Sequence, residues 1–340
     1  MKSYTFSLIS GLGLLLTLMA TSCDIKQKTT PTEGSMTIYC DNSFEDVLEE
    51  LISVYEYRYP KTHILSRYTT QIEAVDSLLA DNTRSIIIAR DLTTQEKNQL
   101  KNKGRNVRSR MLAVDAVALI VNNENPVDYL SYKEIGEILT GNISKWNEID
   151  PGWSEKMPKY PELPVTVYFD SPGSSLALYM RDSLTNNRPF GKNVLDAGSV
   201  KEVFEKVKSR KGSIGVVGVS VLTRDLGENN MTTEERVAAL SNDTSAVDGM
   251  AINKRMDEAG VKTLGVIRYE PMPRRPYQQY IYDGRYPLTR QIYMITTASP
   301  GGLAGAFYTF CLGVDGQRII MRTGVLPARV NRNIVELVQE

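Results

Sequence analysis

Few folds accommodate the stretch from Leu112 to Trp146. Leu112-Ala-Val-Asp-Ala-Val-Ala-Leu-Ile-Val121 is apolar at every position except Asp115. A run of this kind, without polar alternation, suits a strand whose two faces are both covered by helices, as in a mostly parallel sheet. Asn122 to Pro126 breaks the strand. Ser131 and Glu134 then form a capping-box pattern ahead of Ile135, Ile138 and Leu139, and Gly141 supplies a left-handed stop. A buried strand, a turn and a capped helix in direct succession make an α/β unit.

The same alternation starts at Met36. Met36 to Tyr39 reads as a short strand, and Val47, Leu48, Leu51, Ile52 and Tyr55 fall on one helical face. A second strand covers about His63 to Tyr68. A helix bearing Ile72, Val75, Leu78 and Leu79 leads into the apolar strand Ser85 to Ala89. Further on, Pro164 to Phe169 reads as a strand. Ser199 and Glu202 cap a helix carrying Val200, Val203, Phe204 and Val207, and Gly212 ends it. The glycine-rich strand Ile214 to Val219 follows, its missing side chains suiting close helix packing. From Leu222 to Tyr286 the chain is polar, with Pro271, Pro273, Pro276 and tyrosines at 277, 280, 282 and 286, and no regular element is assigned. The last part reads as one more strand and a helix pair.

Residues 1–22 carry Lys2 and an apolar core from Phe6 to Ala20, too short to span a bilayer comfortably and flanked like a secretory signal. Ala20-Thr-Ser-Cys23 resembles the lipobox at which bacterial lipoproteins are cleaved and acylated, with alanine where leucine is usual. Lipidation of Cys23 would give an exported lipoprotein anchored to the bacterial cell envelope, at its periplasmic face or on the cell surface. Residues 23–35 have almost nothing to bury and read as a flexible tether. The remaining 300 or so residues exceed the usual single unit of about 100–200, so two lobes are expected.

Forty basic and forty acidic side chains balance, so no nucleic acid or other polyanion is expected as partner on net charge. Beyond Cys23 only Cys40 and Cys311 remain, each in an apolar setting that favours two buried thiols over a bridge. His63 is the single histidine, and no Cys/His cluster has metal spacing; neither a metal nor a cofactor is expected.

Asp115-Ala-Val-Ala-Leu-Ile-Val-Asn122, Asn125-Pro126 and Ile138-Leu-Thr-Gly-Asn-Ile-Ser-Lys-Trp146 together resemble the phosphate-binding proteins that feed ATP-driven importers. Similar Tyr-Pro-Leu, Gly-Gln and Gly-to-Pro segments near the C-terminus extend the resemblance over most of the chain. The family implies a two-lobed periplasmic-binding-protein-like fold (type II), each lobe a mostly parallel sheet flanked by helices, with the ligand cleft between lobes. Carried over, the chain crosses between lobes near 112–118 and 285–292. Residues 36–112 and 291–340 then form lobe 1, and 113–290 lobe 2.

Strand-to-helix turns hold anions without metal, because free N–H groups and the helix dipole point at the ligand. Four such turns occur here: Cys40 to Phe44, Tyr68 to Gln71, Ala89 to Thr93 and Asp170 to Ser175. Each hydroxyl also serves as an ordinary helix cap. The resemblance assigns ligand contact to Ser43 and Phe44, to Thr69 or Thr70, and to Gly173 and Ser174, with Ser175 in the same turn. Three positions depart from the family pattern. Tyr168 stands where an anion-pairing arginine is usual, Pro172 replaces a serine and lacks an N–H, and Arg90 replaces an aspartate. That aspartate would discriminate, since hydrogen phosphate can donate to a carboxylate whereas sulfate only accepts. Arg90 would bring bidentate donors instead, unless it pairs with a local acid, and Asp91 or Asp170 would restore the filter.

The leading expectation is an extracytoplasmic solute-binding lipoprotein, acting as a monomer, that captures phosphate or a related oxyanion for an ABC permease in the inner membrane. The alternative is a sensory or partner-binding lipoprotein that keeps the fold and takes another ligand. A hydrolase built on Ser174 or Ser175 with Asp170 has only His63 for a base and no Gly-x-Ser-x-Gly elbow, so no catalysis is expected.

Overall fold

The computed structural model describes residues 29–171, 173–223, 232–242 and 247–329. The expected signal segment, Cys23 and Pro172 lie outside them. The first half-lobe alternates β1 (Glu33–Asp41), α1 (Glu45–Arg58), β2 (Lys61–Thr69), α2 (Gln71–Leu79), β3 (Ser85–Ile88) and α3 (Thr94–Asn102). The long β4 (Arg108–Asn122) leads to β5 (Tyr129–Ser131), α4 (Tyr132–Thr140), α5 (Trp153–Lys156), β6 (Thr166–Phe169) and α6 (Ser175–Leu184). Next come β7 (Val194–Asp196), α7 (Val200–Ser209), β8 (Ser213–Gly218), α8 (Val219–Thr223), α9 (Thr233–Asn242) and α10 (Gly249–Glu258). The chain then runs through β9 (Val261–Thr263), β10 (Gly265–Ile267), α11 (Gln278–Tyr282) and β11 (Thr289–Thr296). It closes on α12 (Leu303–Leu312), α13 (Val314–Arg322) and β12 (Leu326–Pro327).

β4 organises the molecule. Its 15 residues extend about 50 Å at the usual rise per residue, enough to serve two lobes. Arg108 to Ala116 pairs with β11, and Val117 to Asn122 pairs with β8 and β9, so the strand changes partners at Ala116/Val117. The sheet order is β2-β1-β3-β11-β4-β8-β6-β7, with β9 and β12 also on β4. Among the described residues, parallel pairing is confined to β1 with β2 and β3, to β6 with β7 and β8, and to the small β5–β10 pair. The strand from Leu112 was expected in a parallel setting, but every partner of β4 is antiparallel to it. Its apolar run instead reflects burial on both faces, since Leu112, Ala113 and Ala116 to Val121 are all at most 1% exposed. β4 and β11 carry the chain across in opposite senses, which makes them antiparallel to each other.

Local rules hold where the sequence is strongly patterned. Ser131 and Glu134 complete a capping box on α4, and Gly141 ends it at φ 79°. The predicted face of α1 is buried from Val47 to Tyr55. On α2 the buried residues are Ala74, Val75 and Leu78, whereas Ile72 is exposed. At Gly215 an added Cβ would lie 2.6 Å from a methyl of Val203 on α7 and 2.8 Å from Ile120 on β4, so this glycine permits the tight packing expected of it. Cys40 and Cys311 are separate buried thiols, and burial pushes both well above the ordinary thiol pKa.

Two expectations change. Order begins before Met36: β1 starts at Glu33, the Tyr55 hydroxyl donates to Pro31 O at 2.6 Å, and the Leu303 N–H donates to Thr29 Oγ1 at 3.2 Å. Backbone pairing of β1 with β2 needs no apolar side chains, so composition alone placed the tether boundary too late. The region 222–286 also holds α9, α10, β9, β10 and α11. Its signal was weak because α10 buries only Ile252 and Met256, and both strands are three residues long.

Candidate anion-binding site

Two strand-to-helix turns meet where the lobes face each other. At the end of β1, Asp41 bends the chain by accepting the Ser43 N–H on Oδ1 at 3.0 Å, which buries Ser43 and Phe44 ahead of α1. At the start of α6, Ser174 caps the helix by accepting the Ala177 N–H at 3.2 Å. That cap sets Ser175 on the first turn, 2% exposed. The Ser175 hydroxyl donates to Asp41 Oδ1 at 2.8 Å, and the Ser43 and Ser175 oxygens are 3.2 Å apart. Since the single Ser175 hydrogen goes to Asp41, Ser43 is the donor between the two serines.

A cation comes from the crossing strands. Antiparallel register sets Arg290 of β11 directly opposite Asp115 of β4. Both are buried, at 4% and 1% exposure. Arg290 Nε donates to Asp115 Oδ2 at 2.8 Å, and Nη1 donates to Ser175 Oγ at 2.6 Å. Nη2 is also 2.8 Å from Asp115 Oδ2 but makes no hydrogen bond, which leaves its N–H groups undirected. The guanidinium lies 4.6 Å from the centre of the Phe44 ring, which fixes its plane. Asp115–Arg290–Ser175–Asp41 is therefore one chain of polar contacts joining both crossing strands to both turns.

Among the described residues, the buried oxygens Asp41 Oδ2 and Asp170 Oδ1 accept no hydrogen bond, and Arg290 Nη2 meets Asp115 as an ion pair without one. Burial pushes the Asp170 carboxyl above the ordinary carboxylate range, the Asp41 charge adds to this, and bonds from Ser174 and the Ser171 N–H oppose it. Asp115 is likewise raised by burial, against the pull of Arg290. Unsatisfied acceptors beside an unsatisfied cationic donor fit a ligand that both accepts and donates hydrogen bonds.

The other expected site residues go elsewhere. Arg90 makes a bidentate pair with Glu96, at 2.9 and 2.8 Å, and donates to Asp91 O at 2.9 Å. Glu96 is held for this by its capping box with Thr93 at the start of α3. Asp91 is engaged by Lys97 and Ser109. The Thr69 hydroxyl donates to Glu73, and Thr70 caps α2. Gly173 is exposed, and a Cβ added there would meet nothing within 4 Å. Tyr168 is a core residue whose hydroxyl accepts from Arg210 at 2.6 Å. Arg90→Ala is accordingly expected to leave anion affinity within about twofold of the parent, measured by calorimetric titration, since a partly exposed ion pair with a local acid contributes roughly 0–1 kcal/mol and only to local stability. Asp41, Asp115 and Arg290 were not among the expected ligand residues. The available signals were the lone charge in the apolar β4 run and the position of Arg290 within the second expected crossing.

The sequence model of the PBP superfamily domain matches residues 26–314. This chain belongs to the PBP superfamily. A relative of this PBP protein, "Phosphate-binding protein PstS" of Pseudomonas aeruginosa, is 19% identical over 316 residues, covering 88% of this chain and 85% of its own. "Phosphate-binding protein PstS 2" of Streptococcus pneumoniae is 25% identical over 135 residues; the match takes in 37% of this chain and 43% of that relative's length. Among solved structures, an ABC-type phosphate transport receptor from Vibrio cholerae superposes with a TM-score of 0.57 at 17% identity, over 86% of this chain and all of that one. At that identity the likeness establishes the two-lobed fold.

Proposed function

We propose that this PBP protein binds a protonated tetrahedral oxyanion, hydrogen phosphate foremost, between its lobes and presents it to an ABC permease. The observation that carries this reading is the Arg290–Ser175–Asp41 cluster, where one buried guanidinium, hydroxyls from both turns and two carboxylates with unmatched oxygens converge. Arg290 neutralises the anion and takes over the part that Tyr168 cannot play. Ser43 and Ser174 donate, and Ser175 joins them when its hydrogen turns from Asp41 to the ligand, together with free N–H groups at the start of α6. Asp41 and Asp170 accept the ligand's own protons, a contact that sulfate cannot make. The names of the relatives in Pseudomonas and Streptococcus support phosphate as ligand.

Residues 36–112 and 291–340 act as lobe 1 and 113–290 as lobe 2 in this reading, hinged where β4 and β11 cross, with ligand exchange for the direct Ser43–Ser175 contact on opening. Calorimetric titration of the purified protein with phosphate, sulfate and arsenate is the test. Saturable binding of phosphate and arsenate with sulfate at least tenfold weaker is expected; no response to any of them at millimolar concentration overturns the reading.

The protein is further proposed to be a monomer held at the cell envelope by acylated Cys23. Among the described residues no helix is long and apolar enough to cross a membrane. Cys23→Ser is expected to move the protein from the membrane fraction to the soluble fraction, and unchanged membrane association would rule the anchor out.

A further inference from the structure

A concave cavity of about 700 Å³ opens on lobe 1, and its lining shares no residue with the Arg290–Ser175–Asp41 cluster. It is bounded by α3, by the start of β4, by the C-terminal half of α12 and by Arg329. Six cationic side chains line it, Lys97, Lys101, Arg105, Arg108, Arg110 and Arg329, against the single carboxylate of Asp91. The chain as a whole carries equal numbers of acidic and basic residues, so this local excess does not follow from composition.

The six fall into two sets. Lys97 pairs with Asp91 at 2.6 Å, Arg105 pairs with Asp81, and Arg108 donates to Ala298 O at 3.0 Å while its guanidinium lies 4.8 Å from the centre of the Tyr308 ring. These three are held in place. Lys101 and Arg329 have no side-chain partner among the described residues, and Arg110 only donates to the neighbouring Ser109 O at 3.3 Å. Keeping like charges together without counter-charges costs free energy, most of all at low salt. That cost is offset when a multivalent anion binds.

We infer that this cavity is a second anion site, built for a phosphoryl group or groups carrying several negative charges. Four of the six cations are arginines, whose planar forks match the paired oxygens of a phosphoryl group. Singly charged carboxylates would have to crowd in one per cation, whereas phosphoryl groups supply more charge in the same volume. The site is independent of the cleft. Arg108 and Asp115 are seven residues apart on β4, about 23 Å at the rise of an extended strand, so one small ligand does not touch both. Phosphoryl groups of this kind come from a soluble condensed phosphate or from the headgroups of an anionic membrane.

The side chains of Lys101, Arg110 and Arg329 are exposed and, among the described residues, make no bond beyond the one from Arg110 to Ser109 O, so the triple variant Lys101→Gln/Arg110→Gln/Arg329→Gln keeps every backbone bond and leaves the core untouched. Binding of inorganic tripolyphosphate by calorimetry, and of phosphatidylglycerol against phosphatidylcholine vesicles by co-sedimentation, is compared between parent and variant with the same N-terminus. The expected result is binding to at least one of the two anionic probes that weakens tenfold or more in the triple variant, falls as salt rises, and persists when the cleft is altered by Asp170→Asn. A response to tripolyphosphate identifies the soluble source, and one confined to phosphatidylglycerol identifies the headgroup. No binding to either probe, equal binding by parent and triple variant, or loss of all binding in Asp170→Asn overturns the assignment.

Discussion

Arg290→Met is expected to abolish anion binding and to cost about 3–5 kcal/mol of folding stability, the usual consequence of leaving one partner of a buried ion pair behind. Asp115 would then be a carboxylate at 1% exposure held by backbone N–H groups alone, those of Val219, at 3.3 Å from Oδ1, and Ala116. Its carboxyl is already raised by burial even with Arg290 beside it, so removing the guanidinium raises it further. The sign of the pH dependence follows. A folded-state pKa above the unfolded one favours the fold at low pH, and the advantage is lost as pH rises from the ordinary carboxylate range through the raised value. The penalty in Arg290→Met is therefore largest at neutral pH and shrinks on acidification, as urea denaturation across a pH series would report.

A second variant separates folding from function. Arg290→Met/Asp115→Leu replaces both charges with apolar groups and is expected to recover most of the stability. It should still bind no anion. Recovered binding in this double variant would show that Arg290 supports the site only through Asp115.

Asp170→Asn is expected to change selectivity. A charge-assisted hydrogen bond from the ligand's proton to a carboxylate contributes roughly 1.5–3 kcal/mol, so hydrogen phosphate should bind about 10- to 100-fold more weakly. Sulfate should gain, because the amide removes a negative charge beside it and adds donors. Stability should move the other way from affinity. Burial, with the charge of Asp41 behind it, raises the Asp170 carboxyl. Its ionisation therefore costs stability as pH rises past the ordinary carboxylate range, and the amide avoids that cost. Asp170→Asn should melt above the parent at neutral pH, with the gap closing as pH falls. Unaltered phosphate and sulfate affinities would place Asp170 outside the binding site.

Much of the scaffold was readable from short-range pattern. The apolar run of β4, the capping box and glycine stop of α4, and the apolar face of α1 are set by residues within a turn or two of each other, so burial and capping act locally. The elements between Leu222 and Tyr286 escaped because their helices and strands are short and bury few side chains. Half of the candidate site was similarly legible. Ser43, Ser174 and Ser175 belong to strand-to-helix turns whose capping chemistry repeats everywhere. Arg90 shows the limit: the pattern identified a cation beside a turn, but Glu96, six residues on and locked by its own cap, holds it in a bidentate pair.

The sequence alone determined that this chain alternates strands and helices and carries oxyanion-suited turns, because strand burial and helix capping are decided by neighbours in the chain; its two lobes were expected from length and from the family resemblance. Only the tertiary structure decided which turns meet and which cation serves them. Arg290 and Asp115 are 175 residues apart and become partners through the register of β11 on β4. Serines 132 residues apart touch because the two lobes bring their helix starts together. Those contacts depend on strand register and lobe packing, which no local pattern of residues encodes.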